Sequence, residues 1–174
     1  MTTSSQSAEP GALIREPSPN DLEPLVELYN HYIRETAITF DLEPFTVDER
    51  RPWFEAFRTN GRYRLLVAEL DSQVVGYAYS GVFRARKAYD TTIESTVYLA
   101  PDATGKGIGR KLYSALFAAI EDQNVHRIIA GITLPNDASV ALHSAFGFKP
   151  VGIMTECGYK FGRFHDVVWY EKAL

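Results

Sequence analysis

The chain's pattern predicts an α/β fold with one mixed central sheet flanked by helices, and three observations carry that prediction. Apolar residues recur at helical spacing in separate stretches, as at Leu22, Leu25, Val26, Tyr29, Tyr32 and Ile33. Between those stretches lie short runs rich in β-branched and aromatic residues, such as Leu65 to Leu70 and Gln73 to Phe83. The segment from Thr96 to Leu112, TVYLAPDATGKGIGRKL, joins the two kinds. Its β-branched run stops at Pro101, a glycine cluster follows, and a helical pattern opens with Leu112, Leu116 and Phe117. The length of 174 residues suits one domain with a substantial core.

The elements follow in order. Residues 1–11 are polar and read as a flexible tail before a domain spanning 12–174. Ala12 to Arg15 is a first short strand. Ser18-Pro19 is suited to cap and start the first helix, although Pro24 sits awkwardly within it. Thr39 to Pro44 is a loop. Thr46 with Glu49 has the spacing of a capping box for a helix through Phe57. Two strands, 65–70 and 73–83, pair around Asp71-Ser72, and Arg84 to Tyr89 is a basic, aromatic connection. Thr92 to Ala100 is the strand entering the glycine cluster, and Ile108 to Asp122 the long helix. Arg127 to Leu134 is a strand, and Asn136-Asp137 caps a helix that runs to Phe146 and ends at Gly147. Pro150 to Cys157 and Asp166 to Lys172 are the final strands.

Composition narrows the function classes. A net charge of −4 argues against a nucleic-acid footprint. No run approaches the ~18 apolar residues of a membrane span, and the first residues lack the apolar core of a secretory peptide. The single cysteine, Cys157, has no partner for an internal disulfide. A cytoplasmic setting is therefore expected. His31, His126 and His165 have no metal-ligand spacing with one another or with Cys157, so no metal is expected.

The strand, glycine turn and helix in that order make an anion site. Glycine lets a ligand approach the backbone closely, and a new helix leaves its first N–H groups without partners. Spacing separates the families that use this device. A P-loop needs a glycine where Ala100 stands and a Ser or Thr where Gly107 stands. The dinucleotide fingerprint fails too, because Arg110 or Leu112 falls where its last glycine belongs. The remaining pattern, Gly105-Lys106-Gly107-Ile108-Gly109 after a strand ending Val97-Tyr98-Leu99, resembles the acetyl-CoA pyrophosphate loop of the GCN5-related N-acetyltransferases (GNAT). Thr104 stands where that loop usually carries Gln or Arg, a change that leaves the backbone donors intact.

The resemblance extends over residues 12–172. It includes Asn30-His31-Tyr32-Ile33 before Thr39-Phe40, Arg84 to Asp90 before Glu94 to Tyr98, Leu134 to Asp137 before His143, Gly158-Tyr159-Lys160, and His165-Asp166-Val167. This ordered series resembles the phosphinothricin and methionine sulfoximine N-acetyltransferase branch of the superfamily. The resemblance implies acetyl-CoA as co-substrate, a small amino acid analogue as acceptor, and a homodimer.

It also implies roles. Glu94 matches the general base that takes the proton of the attacking amine, and its neighbours Ile93, Ser95 and Thr96 favour the raised pKa a base needs. His143 matches a histidine that assists the base, although a histidine near Val140, Phe146 and Phe148 is also an ordinary core residue. The backbone at Val97, Tyr98 and Leu99 is expected to hold pantetheine and the acetyl carbonyl. Thr104, Gly105, Lys106, Gly107, Ile108, Gly109 and Arg110 are expected at the pyrophosphate. Asn136 serves a pantetheine amide or simply caps its helix. Arg86 and Tyr89, with Arg84 where a lysine is common, match the acceptor-binding residues, since guanidinium groups pair with carboxylate and tetrahedral oxyanions. Thr39 and Phe40 would close the pocket opposite. A peptide or polyamine acceptor requires an open groove, which fits the basic loop less well. A sensor that binds acyl-CoA without chemistry has no need of both Glu94 and His143.

Overall fold

The computed structural model describes residues 11–174. The predicted tail, residues 1–11, lies outside the described residues except for Gly11. Seven strands form one sheet in the order β1-β2-β3-β4-β5-β7-β6. The strands are β1 (Leu13–Arg15), β2 (Leu65–Leu70), β3 (Gln73–Val82), β4 (Thr92–Leu99), β5 (Arg127–Thr133), β6 (Lys149–Lys160) and β7 (Arg163–Ala173). Every neighbouring pair is antiparallel except β4 and β5, so the sheet is mixed as predicted.

Helices cover both faces. On one, α1 (Leu22–Glu35) and α2 (Val47–Glu55) bury Leu25, Leu28, Tyr29 and Ile33 against Leu65, Val67, Tyr77 and Tyr98. On the other, α3 (Ile108–Ile120) and α4 (Asp137–Ala145) pack on Ile93, Ile128, Ala130, Ile132, Val168 and Tyr170. Each fully buried Leu or Ile there contributes roughly 1.5–3 kcal/mol. Strand alternation then fixes the faces of β4. Ile93, Ser95, Val97 and Leu99 point to α3, while Glu94, Thr96 and Tyr98 point to α1.

The larger differences from the sequence reading lie in the first two helices and the final hairpin, the other ends shifting by one or two residues. Residues 19–21 form a separate 3-10 turn, so α1 starts at Leu22. Pro24 falls in its first turn, where the missing N–H has no carbonyl to meet. The capping box at Thr46 and Glu49 forms as predicted, but α2 stops at Glu55 rather than Phe57. Pro52 removes an i−4 bond, and the chain tightens into bonds from Ala56 N to Trp53 O and Phe57 N to Phe54 O. The last two strands extend past their predicted limits into one long hairpin around Phe161-Gly162, both at positive φ. Gly158 lies inside β6 because the Phe40 ring covers it, leaving no room for a Cβ.

Candidate functional site

β4 and β5 pair only through Thr92, Glu94 and the residue between them, opposite Arg127 to Ile129. Beyond Glu94 the two strands separate. β5 stays paired with β7 through Thr133, and β4 stays paired with β3 through Leu99. The sheet therefore opens as a wedge at its centre.

The free edge of β4 lines that wedge. Ala100 N–H donates to Val75 O on β3 at 2.8 Å. Alternation along the strand then turns the N–H groups of Val97 and Leu99 the other way, toward the wedge, where β5 no longer offers carbonyls. The Leu99 carbonyl on that edge accepts the Tyr32 hydroxyl at 2.6 Å. The two amides are left for a ligand.

A cavity of about 570 Å³ runs from this wedge to the start of α3. Val97, Tyr98, Leu99, Thr104, Gly105, Gly107, Ile108, Gly109, Arg110 and Asn136 all line it, as predicted for a cofactor site. Lys106 does not; its side chain is exposed beside the loop. The glycines serve separate ends. Gly105 and Gly107 have φ of 73° and 76°, a left-handed conformation, and a Cβ on either would meet only open space. Gly107 is also the N-cap of α3, and no side chain caps the helix. The first helical bond runs from Lys111 N to Gly107 O, so the N–H groups of Ile108, Gly109 and Arg110 are unpaired within the helix and face an anion site. Gly109 is closely packed, since a Cβ there would lie 3.3 Å from Leu142 on α4, whose side chain would have to shift by a few tenths of an ångström. Thr104 turns back to Pro101 O at 2.8 Å and adds no donor to the loop. Asn136 caps its helix, its Oδ1 accepting Ser139 N at 3.1 Å, and it also lines the cavity.

An elongated channel bounded by free strand amides, an uncapped helix N-terminus and Arg110 fits a long ligand with a polyanionic end and amide groups along its length. These features suit CoA. Among the described residues no group of His, Cys, Asp and Glu could hold a metal ion.

Glu94 stands at the mouth of the wedge, at the last position where β4 and β5 pair. It is half-buried, and desolvation raises its pKa above the usual carboxylate value. Its charge acts on Tyr79 on its own face and on Tyr113 on the other, as expected for a carboxylate at the opening between faces.

His143 is 3% exposed and lines the cavity from the α3 face, with both ring nitrogens engaged. A carbonyl only accepts, so Nδ1–H donates to Ser139 O at 2.7 Å. Nε2 then accepts the Tyr113 hydroxyl at 3.0 Å. Burial lowers the His143 pKa and keeps the ring neutral. The structure thus joins His143 to Tyr113 rather than to Glu94, since β4 directs Glu94 to the opposite face. The sequence reading missed Tyr113. Its position one residue after Leu112 in the helical pattern marks it only as core.

The predicted acceptor residues divide. Thr39 and Phe40 lie on the Glu94 face of the sheet, with Thr39 buried. Arg84, Arg86 and Tyr89 are exposed in the connection before β4, with the Arg84 guanidinium 5.1 Å from the centre of the Phe83 ring. None of them lines the cavity. They form no ion pair among the described residues.

Comparison with known proteins agrees with this geometry. Residues 14–169 match the acetyltransferase (GNAT) domain family. A phosphinothricin N-acetyltransferase of Streptomyces coelicolor is 55% identical over 156 residues, covering 88% of this chain and 91% of that protein. An L-methionine sulfoximine/L-methionine sulfone acetyltransferase of Salmonella typhimurium is 36% identical, covering 88% and 90%. The crystal structure of a GNAT superfamily phosphinothricin acetyltransferase from Sinorhizobium meliloti, in complex with acetyl-CoA, superposes with a TM-score of 0.89. It is 33% identical and the match covers 95% of this chain and 89% of that one.

Proposed function

The chain belongs to the acetyltransferase (GNAT) family and is an acetyl-CoA-dependent acetyltransferase, and from that premise we propose that it acetylates the free α-amine of a small amino acid analogue such as phosphinothricin or methionine sulfoximine. The observation that carries this reading is the wedge between β4 and β5. It frees the amides of Val97 and Leu99 along the cofactor cavity, while Glu94, at the last paired position of β4 and outside the cavity lining, turns to the face that Thr39 and Phe40 cover. The names of the two relatives above support the acceptor class.

Bound acetyl-CoA would supply the activated acetyl group as a thioester, the new C–N bond replacing its C–S bond and CoA leaving as a thiolate that takes up a proton. The chain's own residues do the rest. Glu94 takes a proton from the acceptor's ammonium or attacking amine, directly or through a water. Its burial makes it a better base than an exposed carboxylate. The N–H groups of Val97 and Leu99 donate to the acetyl carbonyl oxygen as negative charge builds there. The α3 N-terminus and Arg110 hold the pyrophosphate. Arg84, Arg86 and Tyr89 receive the acceptor's carboxylate and tetrahedral oxyanion, and Thr39 with Phe40 closes the opposite side. The exposed guanidinium groups, free of carboxylate partners, support that assignment.

His143 supports the site through Tyr113 rather than by taking the proton itself, because neither ring nitrogen is free. We also assign a homodimer, formed through β6. That edge strand exposes the apolar side chains of Val151, Ile153, Met154 and Tyr159, with Ile153 and Met154 on opposite faces, an edge suited to a second copy of the chain. Light scattering giving a monomer mass at micromolar concentration would refute that part. For the reaction itself, mass spectrometry of the product tests the reading. The acetyl group is expected on the α-amine, and label on a side chain or on a protein lysine would overturn it.

A further inference from the structure

Lys160 is a buried lysine that the reaction above does not use. Its side chain is 3% exposed, near the tip of the β6–β7 hairpin. Its Nζ donates to the backbone carbonyl of Thr39 at 2.8 Å, across 121 positions of sequence. No carboxylate lies within ion-pair distance of it among the described residues, although the charge of Asp41 reaches it and opposes the effect of burial. A buried ammonium is costly unless its position is needed.

The segment it holds is the wall facing Glu94. Paired residues in a sheet share a face, so the register carries the Glu94 face across to Ile129 and Gly131 on β5. From there it passes to Trp169 and Val167 on β7, then His165, and then Gly158 and Lys160 on β6. The loop from Thr36 to Phe45 lies over the far end of this tract. Phe40 sits on Gly158, its ring 6.1 Å from that of His165. Thr39 is fixed from both sides. The Tyr29 hydroxyl donates to Asp41 at 2.5 Å, so the contact of 2.7 Å between Tyr29 and Thr39 must carry the Thr39 proton. Lys160 holds the Thr39 carbonyl, and His165 Nε2–H donates to the Lys160 carbonyl at 3.1 Å. The loop on its own has no strand or helix bonds to keep it in place.

We propose that Lys160 is a positioning residue that straps the Thr39–Phe40 wall to the β6–β7 hairpin and thereby sets which acceptors the enzyme selects. The acceptor part of this proposal rests on the reading under Proposed function. The strap itself does not. Loss of the ammonium releases the Thr39 carbonyl, and the Phe40 ring is then held over Gly158 by packing alone. Of this loop only Ile38 lines the cofactor cavity, so the amides of β4 and the start of α3 that hold the cofactor are left as they were.

The test compares the full-length wild type with Lys160→Met, which keeps the length and apolar stem, and Lys160→Arg, which restores a donor. Hydrogen–deuterium exchange is followed at the amides of residues 38–41. Steady-state kinetics is followed with methionine sulfoximine and with methionine as acceptors. Lys160→Met is expected to exchange at least about tenfold faster over 38–41, with α3 unchanged. The acceptor KM is expected to rise about tenfold or more, the scale of one lost charge-assisted bond, with the acetyl-CoA KM unchanged. The preference for methionine sulfoximine over methionine is expected to narrow, and Lys160→Arg to recover part of both effects. Unchanged exchange in the folded variant overturns the strap. Faster exchange with unchanged acceptor KM and preference shows a purely structural lysine and overturns the specificity role. A wild type inactive on both amino acids refutes the acceptor class instead, and the exchange result still decides the strap. If Lys160→Met does not fold, Gly158→Ala is used. It displaces Phe40 without touching the ammonium and must produce the same rise in acceptor KM, or the proposal fails.

Discussion

The cofactor side of the site is made largely of backbone, and the acceptor side is made of side chains. From β4 to the start of α3, the amides left without backbone partners are those of Val97, Leu99, Ile108, Gly109 and Arg110, drawn from one stretch of fewer than twenty residues. Their geometry follows from a strand edge, two glycines at positive φ and an uncapped helix. The acceptor side proposed above would gather Glu94 from β4, Arg84, Arg86 and Tyr89 from the connection before it, Phe40 and Thr39 from the loop after α1, and Gly158, Lys160 and His165 from the terminal hairpin. Nothing local sets their relation. A backbone site tolerates changes of side chain around it, whereas an assembled pocket changes with each residue. One scaffold can therefore keep its cofactor and vary its acceptor.

That contrast can be broken or sharpened by substitution. The largest effect is expected at Glu94. Glu94→Gln should lower kcat roughly 10²–10⁴-fold while the acetyl-CoA affinity stays near wild type. Because burial raises the Glu94 pKa and the base acts as the carboxylate, kcat/KM should climb with pH through a value above the usual glutamate range, and that limb should vanish in the variant. A wild-type turnover in Glu94→Gln would place the base elsewhere. On the cofactor side, Gly107→Val should raise the acetyl-CoA dissociation constant by at least about tenfold, since a β-branched residue resists positive φ. Gly61→Val, at φ 84° but far from the loop in sequence, is the matched control and should leave affinity unchanged. Equal losses in both variants by calorimetry would mean general strain rather than a cofactor loop.

A smaller effect is expected from His143, buried with Tyr113 on the α3 face of the cavity. His143 has its folded pKa lowered by burial, so the unfolded chain takes up the proton first, near 6.5. Its stabilising contribution is then complete above about pH 6.5 and declines as pH falls toward the lowered folded value. His143→Gln should flatten the dependence of urea-unfolding stability on pH over that window. A wild-type slope in the variant would mean that the ring titrates alike in the folded and unfolded chain.

The same division explains what could be read from the sequence. Strands, helices and the glycine loop follow from local patterns, and the structure bears out the mixed sheet flanked by helices. Local rules also failed in local ways. Pro24 looked like a flaw only until the preceding 3-10 turn moved the helix start, and Gly158 read as loop because the ring that excludes a Cβ there comes from residue 40. The free amides of Val97 and Leu99 followed from the family resemblance, while the wedge that frees them depends on how β4 and β5 pair. Tyr113 and Lys160 escaped notice altogether as site residues. Each draws its meaning from a partner far along the chain, His143 for one and Thr39 for the other, and no spacing rule reports such pairs.

The central claim, acetyl transfer to the α-amine of a small amino acid analogue, is tested most directly by specificity constants. Thiol release from acetyl-CoA would be measured with phosphinothricin, methionine sulfoximine, glutamate, methionine, spermidine and a peptide amine. The account predicts the highest kcat/KM for the first two, with Arg86→Ala raising their KM about tenfold through loss of a charge-assisted pair. A higher kcat/KM for spermidine or the peptide amine would contradict it.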